Sequence, residues 1–92
     1  MNAIKNTNGN TYYIVAAFES GLNNVYLLSY YGKKEESGVP VQFIVARGWN
    51  EKSASWDNGS YFNVWNNNYT EALESAKECF KEHVDRIFYN VY

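Results

Sequence analysis

The hydropathy of this chain changes period once, and that single switch limits the folds open to it. Up to Trp65 the apolar residues recur in steps of two. From Leu73 onward, Leu73, Ala76, Phe80, Val84 and Ile87 follow the three-and-four spacing of one helical face. A chain with one helical segment, placed last, cannot build a helix bundle or a run of strand-helix-strand units. It has to make a sheet from hairpins and lay the helix across it.

Four segments carry the strand pattern. Residues 11–19 alternate Tyr12, Ile14, Ala16 and Phe18 against Tyr13, Val15 and Ala17. Turn chemistry at residues 20–24 leads into VYLLSYY over 25–31, the returning arm of a hairpin. After a charged loop at 32–40, tipped by Lys33, Lys34, Glu35 and Glu36, VQFIVARGW over 41–49 is the strongest strand and should be central. The turn Asp57-Asn58-Gly59 then precedes a shorter strand at 60–65. The helix is expected over 70–89, with Asn68 as its cap and Glu71 favouring its positive end. Residues 1–10 are polar and read as a loose lead-in. The predicted fold is α+β: one domain over 11–92, a four-stranded mainly antiparallel sheet with the helix on one face, order ββββα. With 46% hydrophobic and 18% aromatic residues in 92, the chain can fill such a core.

One helix covers one face, yet both faces read as apolar. If Ile14, Phe18, Phe43 and Val45 meet the helix, Val15, Ala17, Ile44 and Ala46 point away from it. Either tyrosines such as Tyr26 or Tyr30 fold over that second face, or it is an interface. The second alternative predicts a homodimer through the exposed sheet face or its edge.

Charge and cysteine content narrow the chemistry. A net charge of −2 from 8 basic and 10 acidic residues lacks the footprint of a non-specific nucleic-acid binder. The single cysteine, Cys79, leaves no internal disulfide and points to a reducing cytoplasm. No apolar run reaches membrane-spanning length, and MNAIKNTNGN lacks the apolar region of an export signal. Cys79 and His83 lie four apart on the helix, beside its apolar stripe, where a structural role outweighs a nucleophile and base. With one histidine and no phosphate loop, the expectation is a non-enzyme without metal or cofactor.

Two surfaces remain as candidates. At 100° per residue, Glu71, Glu74, Glu78, Glu82 and Asp85 fall within about an 80° arc opposite the apolar stripe, a ridge about 21 Å long. Lys77, Lys81 and Arg86 flank it and offset part of its charge. The repulsive neighbours Glu74/Glu78 and Glu78/Glu82 are what a helix selected only for stability avoids. The second candidate is the polar loop bracketed by large amphipathic residues: Arg47, Trp49, Trp56, Asp57 and Tyr61. Its aromatics either bind a partner or base, or close one end of the core. Arg47 is expected to stack on Trp49 or to pair with Glu51 or Asp57.

The stretch FIVARGWNEKSASWDNGSYF (43–62), followed by a short link and an acidic amphipathic helix, resembles in size, composition and layout the small proteins of phages and mobile elements of low-GC bacteria, among them anti-CRISPR and related anti-defence proteins. The resemblance implies inhibition without catalysis: occupying a nucleic-acid groove, blocking assembly, or sequestering a nucleotide signal. Strongly acidic mimics of DNA carry more charge than −2, so mimicry here is local to the helix. The leading expectation is a binding protein whose acidic ridge meets a basic nucleic-acid-binding surface of a host defence complex. The alternative is a nucleotide-signal sponge in which Trp49, Trp56 or Tyr61 stacks a base and Arg47 meets a phosphate.

Overall fold

Alternation draws out five strands, one more than expected. The computed structural model describes residues 3–21, 23–32, 38–65 and 68–89. They form β1 (Ala3–Lys5), β2 (Thr11–Ser20), β3 (Asn23–Tyr30), β4 (Gln42–Arg47), β5 (Asn58–Asn63) and α1 (Tyr69–Phe88). The sheet is a meander of order β1-β2-β3-β4-β5 with every neighbouring pair antiparallel. This is the α+β, one-helix architecture read from the sequence, with β4 an interior strand beside the middle strand β3. The expected tip of the charged loop, Lys33 to Glu36, and the link residues Asn66 and Asn67 lie outside the described residues.

The extra strand lies in the segment expected to be loose. Ala3, Ile4 and Lys5 pair with Tyr13, Tyr12 and Thr11. Asn6 turns the chain between them, its Oδ1 accepting from the amides of Asn8 at 3.1 Å and Asn10 at 3.0 Å. Thr7 ties this turn to a distant loop: its amide donates to the Ala54 carbonyl at 2.9 Å and its hydroxyl to that of Ser53 at 2.7 Å. Ile4 is thereby held in the core.

On one face, α1 packs over β3, β4 and β5. Ala72 and Ala76 let the helix approach Val25, Leu27, Phe43 and Val45, while Leu73, Phe80, Val84 and Ile87 spread along the sheet. Asn68 occupies the cap position without capping by its side chain. Its Oδ1 instead accepts from the Trp65 amide at 2.8 Å and its Nδ2 donates to the Asn63 carbonyl at 3.1 Å. Those bonds fold the β5–α1 link, and the Asn68 carbonyl accepts the Ala72 amide at 2.9 Å.

The opposite face carries its own core of Ile4, Tyr12, Tyr26, Leu28, Ile44 and Ala46, roofed by Ile14, Tyr30, Trp49 and Trp56. Ile14 was expected under the helix. A β-bulge moves it: Ile14 pairs with Leu28 and Ala16 with the next residue, Leu27, so Val15 has no partner and the alternation shifts by one. Ala16 and Phe18 then share the helix side with their partners Leu27 and Val25, and Ala17 stays on the far side opposite Tyr26. Val15 is half exposed at the bulge. Of the apolar strip expected to join two copies, Ile44 and Ala46 are completely buried beneath aromatic rings of their own chain, while Val15 and Ala17 stay exposed.

Candidate functional site

The acidic ridge is built as its spacing dictates. Glu71, Glu74, Glu78, Glu82 and Asp85 are all exposed, on the side of α1 turned away from the sheet. Lys77 reaches back to Glu74 at 3.3 Å with both side chains more than half in water, a geometry that holds little energy and is readily exchanged for another partner. Glu71 lies in the first turn, near the positive end of the helix.

The residues of the aromatic loop do not form one site. β4 ends at Arg47, which continues the Phe43, Val45 alternation and so emerges on the helix side. Gly48 then takes φ +74°, a left-handed conformation that glycine adopts without steric cost, and the chain crosses to the other face. Trp49 therefore lies on the far side, 6.0 Å from Trp56 between ring centroids, and Trp56 meets Tyr12 edge-on at 5.1 Å. The Trp56 indole donates to the Tyr61 hydroxyl at 3.1 Å, leaving that ring itself 54% exposed. Trp49 and Trp56 act first as the roof of the far-side core.

Trp49 is held by a side chain that sequence reasoning missed. Asn24 accepts the Trp49 amide through Oδ1 at 2.7 Å and donates through Nδ2 to the Trp49 carbonyl at 3.1 Å, completing the pair of bonds a backbone neighbour would make. The 50–55 loop closes on the Asn50–Ser55 bridge, and Asn50 Oδ1 accepts the amides of Lys52 and Ser53. These local bonds are the kind that Asn in a turn announces, whereas the Asn24 clasp spans 25 residues.

Arg47 lines a hollow of about 230 Å³ with Asn23, Asn24, Gly48, Asp57, Asn58 and Ile87. It pairs with neither Asp57 nor Glu51, and its Nε is buried without a hydrogen-bond partner. Asp57 instead backs onto Gly48, where a Cβ would sit 2.6 Å from its Oδ2. On the helix, Cys79 packs into the helix–sheet core. Burial lowers the His83 pKa below the ordinary histidine range, and Arg47 and Arg86 push it the same way. Among the described residues, no three His, Cys, Asp or Glu side chains converge as metal ligands, and no helix is long and apolar enough to cross a membrane.

A larger cleft of about 610 Å³ opens on the far face between Ile14, Ala17, Glu19, Asn24, Tyr26, Trp49 and Glu51. The register creates it: Ala17 stands opposite Tyr26, and Glu19 opposite Asn24. Tyr26 donates to Glu19 Oε1 at 2.5 Å. Burial pushes the Tyr26 phenol up to about 12, helped by that bond and by the charges of Glu19 and Glu51. Glu51 was expected only as a partner of Arg47, and Glu19 drew no attention in the sequence; the signal for Glu19 was its two-residue step from Ala17 along β2, across the hairpin from Tyr26. Comparison with known protein families, curated proteins and solved structures found no match.

Proposed function

We propose that this protein binds, without catalysis, a basic nucleic-acid-binding surface on a protein partner, and that the α1 ridge makes the contact. The observation that carries this reading is the ridge itself: five exposed carboxylates on one side of a helix whose other side is spent on the sheet. Coulomb repulsion along such a row is relieved when a partner's Lys or Arg residues face it. A bacterial host's nucleic-acid-handling defence complex presents such a surface, in keeping with the anti-CRISPR-like resemblance.

The test replaces Glu74, Glu78 and Glu82 with Gln and compares capture of host proteins across a salt series. The triple variant is expected to retain less partner and to show a flatter salt dependence. Equal capture at every salt concentration rejects the ridge. The nucleotide-sponge alternative asks Arg47 and the aromatic residues to share a pocket, and their placement on opposite sides of the sheet weighs against it. A thermal-shift screen against nucleotides checks it directly, since a specific ligand raises the melting temperature.

A further inference from the structure

The far-face cleft brings aromatic rings and carboxylates together. It is lined by the aromatic residues Trp49 and Tyr26, the apolar Ile14 and Ala17, and the exposed carboxylate residues Glu19 and Glu51. No lysine or arginine among the described residues lies within ion-pair distance of either carboxylate, although Lys5 lines an adjoining smaller hollow with Glu51. Tyr26 gives its one proton to Glu19 and has none to offer an anion, and the two carboxylates repel negative charge, so the cleft favours a cation. Its walls are already in place: Asn24 fixes the Trp49 backbone by two bonds, and Glu19 fixes the Tyr26 hydroxyl. A flat guanidinium fits this set better than an ammonium, because it stacks on an indole face while its edge donates two parallel bonds to a carboxylate.

We infer that this cleft receives an arginine side chain of a partner protein, with the guanidinium against Trp49 and its N–H groups donating to Glu19 and Glu51. The site lies across the sheet from the α1 ridge and stands or falls without it.

The experiment titrates the intact protein with N-acetyl-arginine amide and follows backbone and indole resonances by NMR. Parallel titrations use the neutral isostere N-acetyl-citrulline amide and N-acetyl-lysine amide. Arginine amide is expected to shift Trp49 and Tyr26 at concentrations of about tens of millimolar, as suits a single exposed contact, with citrulline amide silent and lysine amide weaker. Glu19→Gln with Glu51→Gln should weaken the effect by roughly tenfold, because charge-assisted bonds are lost while Gln still accepts from Tyr26 and preserves the wall. An unchanged melting temperature and amide spectrum show that the double variant is folded, and Glu51→Gln alone leaves the Tyr26 bond untouched. Shifts that are absent, equal for citrulline, equal for lysine, or abolished by the Glu74/Glu78/Glu82→Gln variant would each overturn the assignment. The last two outcomes would mark a general cation effect or attraction to the ridge.

Discussion

Ile44→Ala separates a sheet face closed within one chain from a face awaiting a second copy. Ile44 is 0% exposed, stands between Leu28 and Tyr61 in the ladder, and shares its cluster with Ile4, Tyr12, Tyr26 and Ala46. Truncating a buried isoleucine costs about 2–5 kcal/mol, the larger figures arising where neighbours cannot collapse into the space. The roof here is braced by the Asn24–Trp49 and Trp56–Tyr61 bonds, which argues for the middle of that range, about 3 kcal/mol. In a domain of this size the melting temperature should then fall by roughly 12–24 °C. Urea unfolding followed by tryptophan fluorescence, at two protein concentrations, should give a lower midpoint with unchanged slope, identical at both concentrations. Val15→Ala, at the exposed bulge, should stay within about 0.5 kcal/mol of the unmodified protein. The reasoning fails if Ile44→Ala costs less than about 1 kcal/mol. It also fails if the unmodified protein unfolds at a concentration-dependent midpoint and the variant does not, because Ile44 would then be an interface residue.

Three further perturbations probe the far side. Asn24→Ala removes both partners of the Trp49 backbone and should cost about 1–3 kcal/mol, with a red-shifted tryptophan emission; an unshifted spectrum would mean that packing alone holds the indole. Gly48→Ala combines a left-handed backbone with a Cβ 2.6 Å from the Asp57 carboxylate, and should destabilise by more than about 1 kcal/mol. Adding Asp57→Ala should restore the steric part of that loss and leave the backbone part, as a double-mutant cycle in urea unfolding will read. Raising the pH should erode stability as the unfolded phenol ionises near 10 while Tyr26 keeps its proton to about 12. The unfolded state binds fewer protons in that window, so the stability this phenol contributes in full below pH 10 is lost progressively as the pH rises towards 12. Tyr26→Phe should flatten that slope in alkaline unfolding curves.

How much of this was legible follows from where periodicity holds. The switch from steps of two to steps of three and four placed β2 to β5 and α1 within a few residues, because each of those elements buries a repeating face. β1 escaped because three residues with one buried side chain, Ile4, show no repeat; a long-range tie from Thr7 to the 50s loop fixes it. Ile14 went to the wrong face because parity along a strand is lost at a bulge, and nothing in Tyr-Tyr-Ile-Val-Ala-Ala marks Val15 as the residue left over. Arg47 and Trp49 were grouped as neighbours bracketing one polar loop, and the left-handed Gly48 between them sends them to opposite faces. The ridge was fully legible, since exposure on a helix follows from angle alone. The cleft was not, since its residues come from β2, β3 and the loop after β4, and only the register brings them together.

The two candidate surfaces lie on the outer sides of two different covers, and this constrains any account of binding. The helix covers one face of the sheet and turns its carboxylates outward; tyrosines and tryptophans cover the other and leave the cleft among them. A typical stable interface takes about 800 Å² from each partner as one contiguous patch. A flat patch of that size on the ridge does not reach the cleft, which faces the opposite way. Substitutions on the two surfaces share no partners, so their effects on folding stability should add. Their effects on capture should add only if one partner wraps both sides of the domain. If the ridge variant and the cleft variant each abolish a different interaction, the chain holds two partners apart by the thickness of one helix and one sheet. If both weaken the same interaction, the partner must enclose the domain, and an arginine from the enclosing wall is the group expected against Trp49.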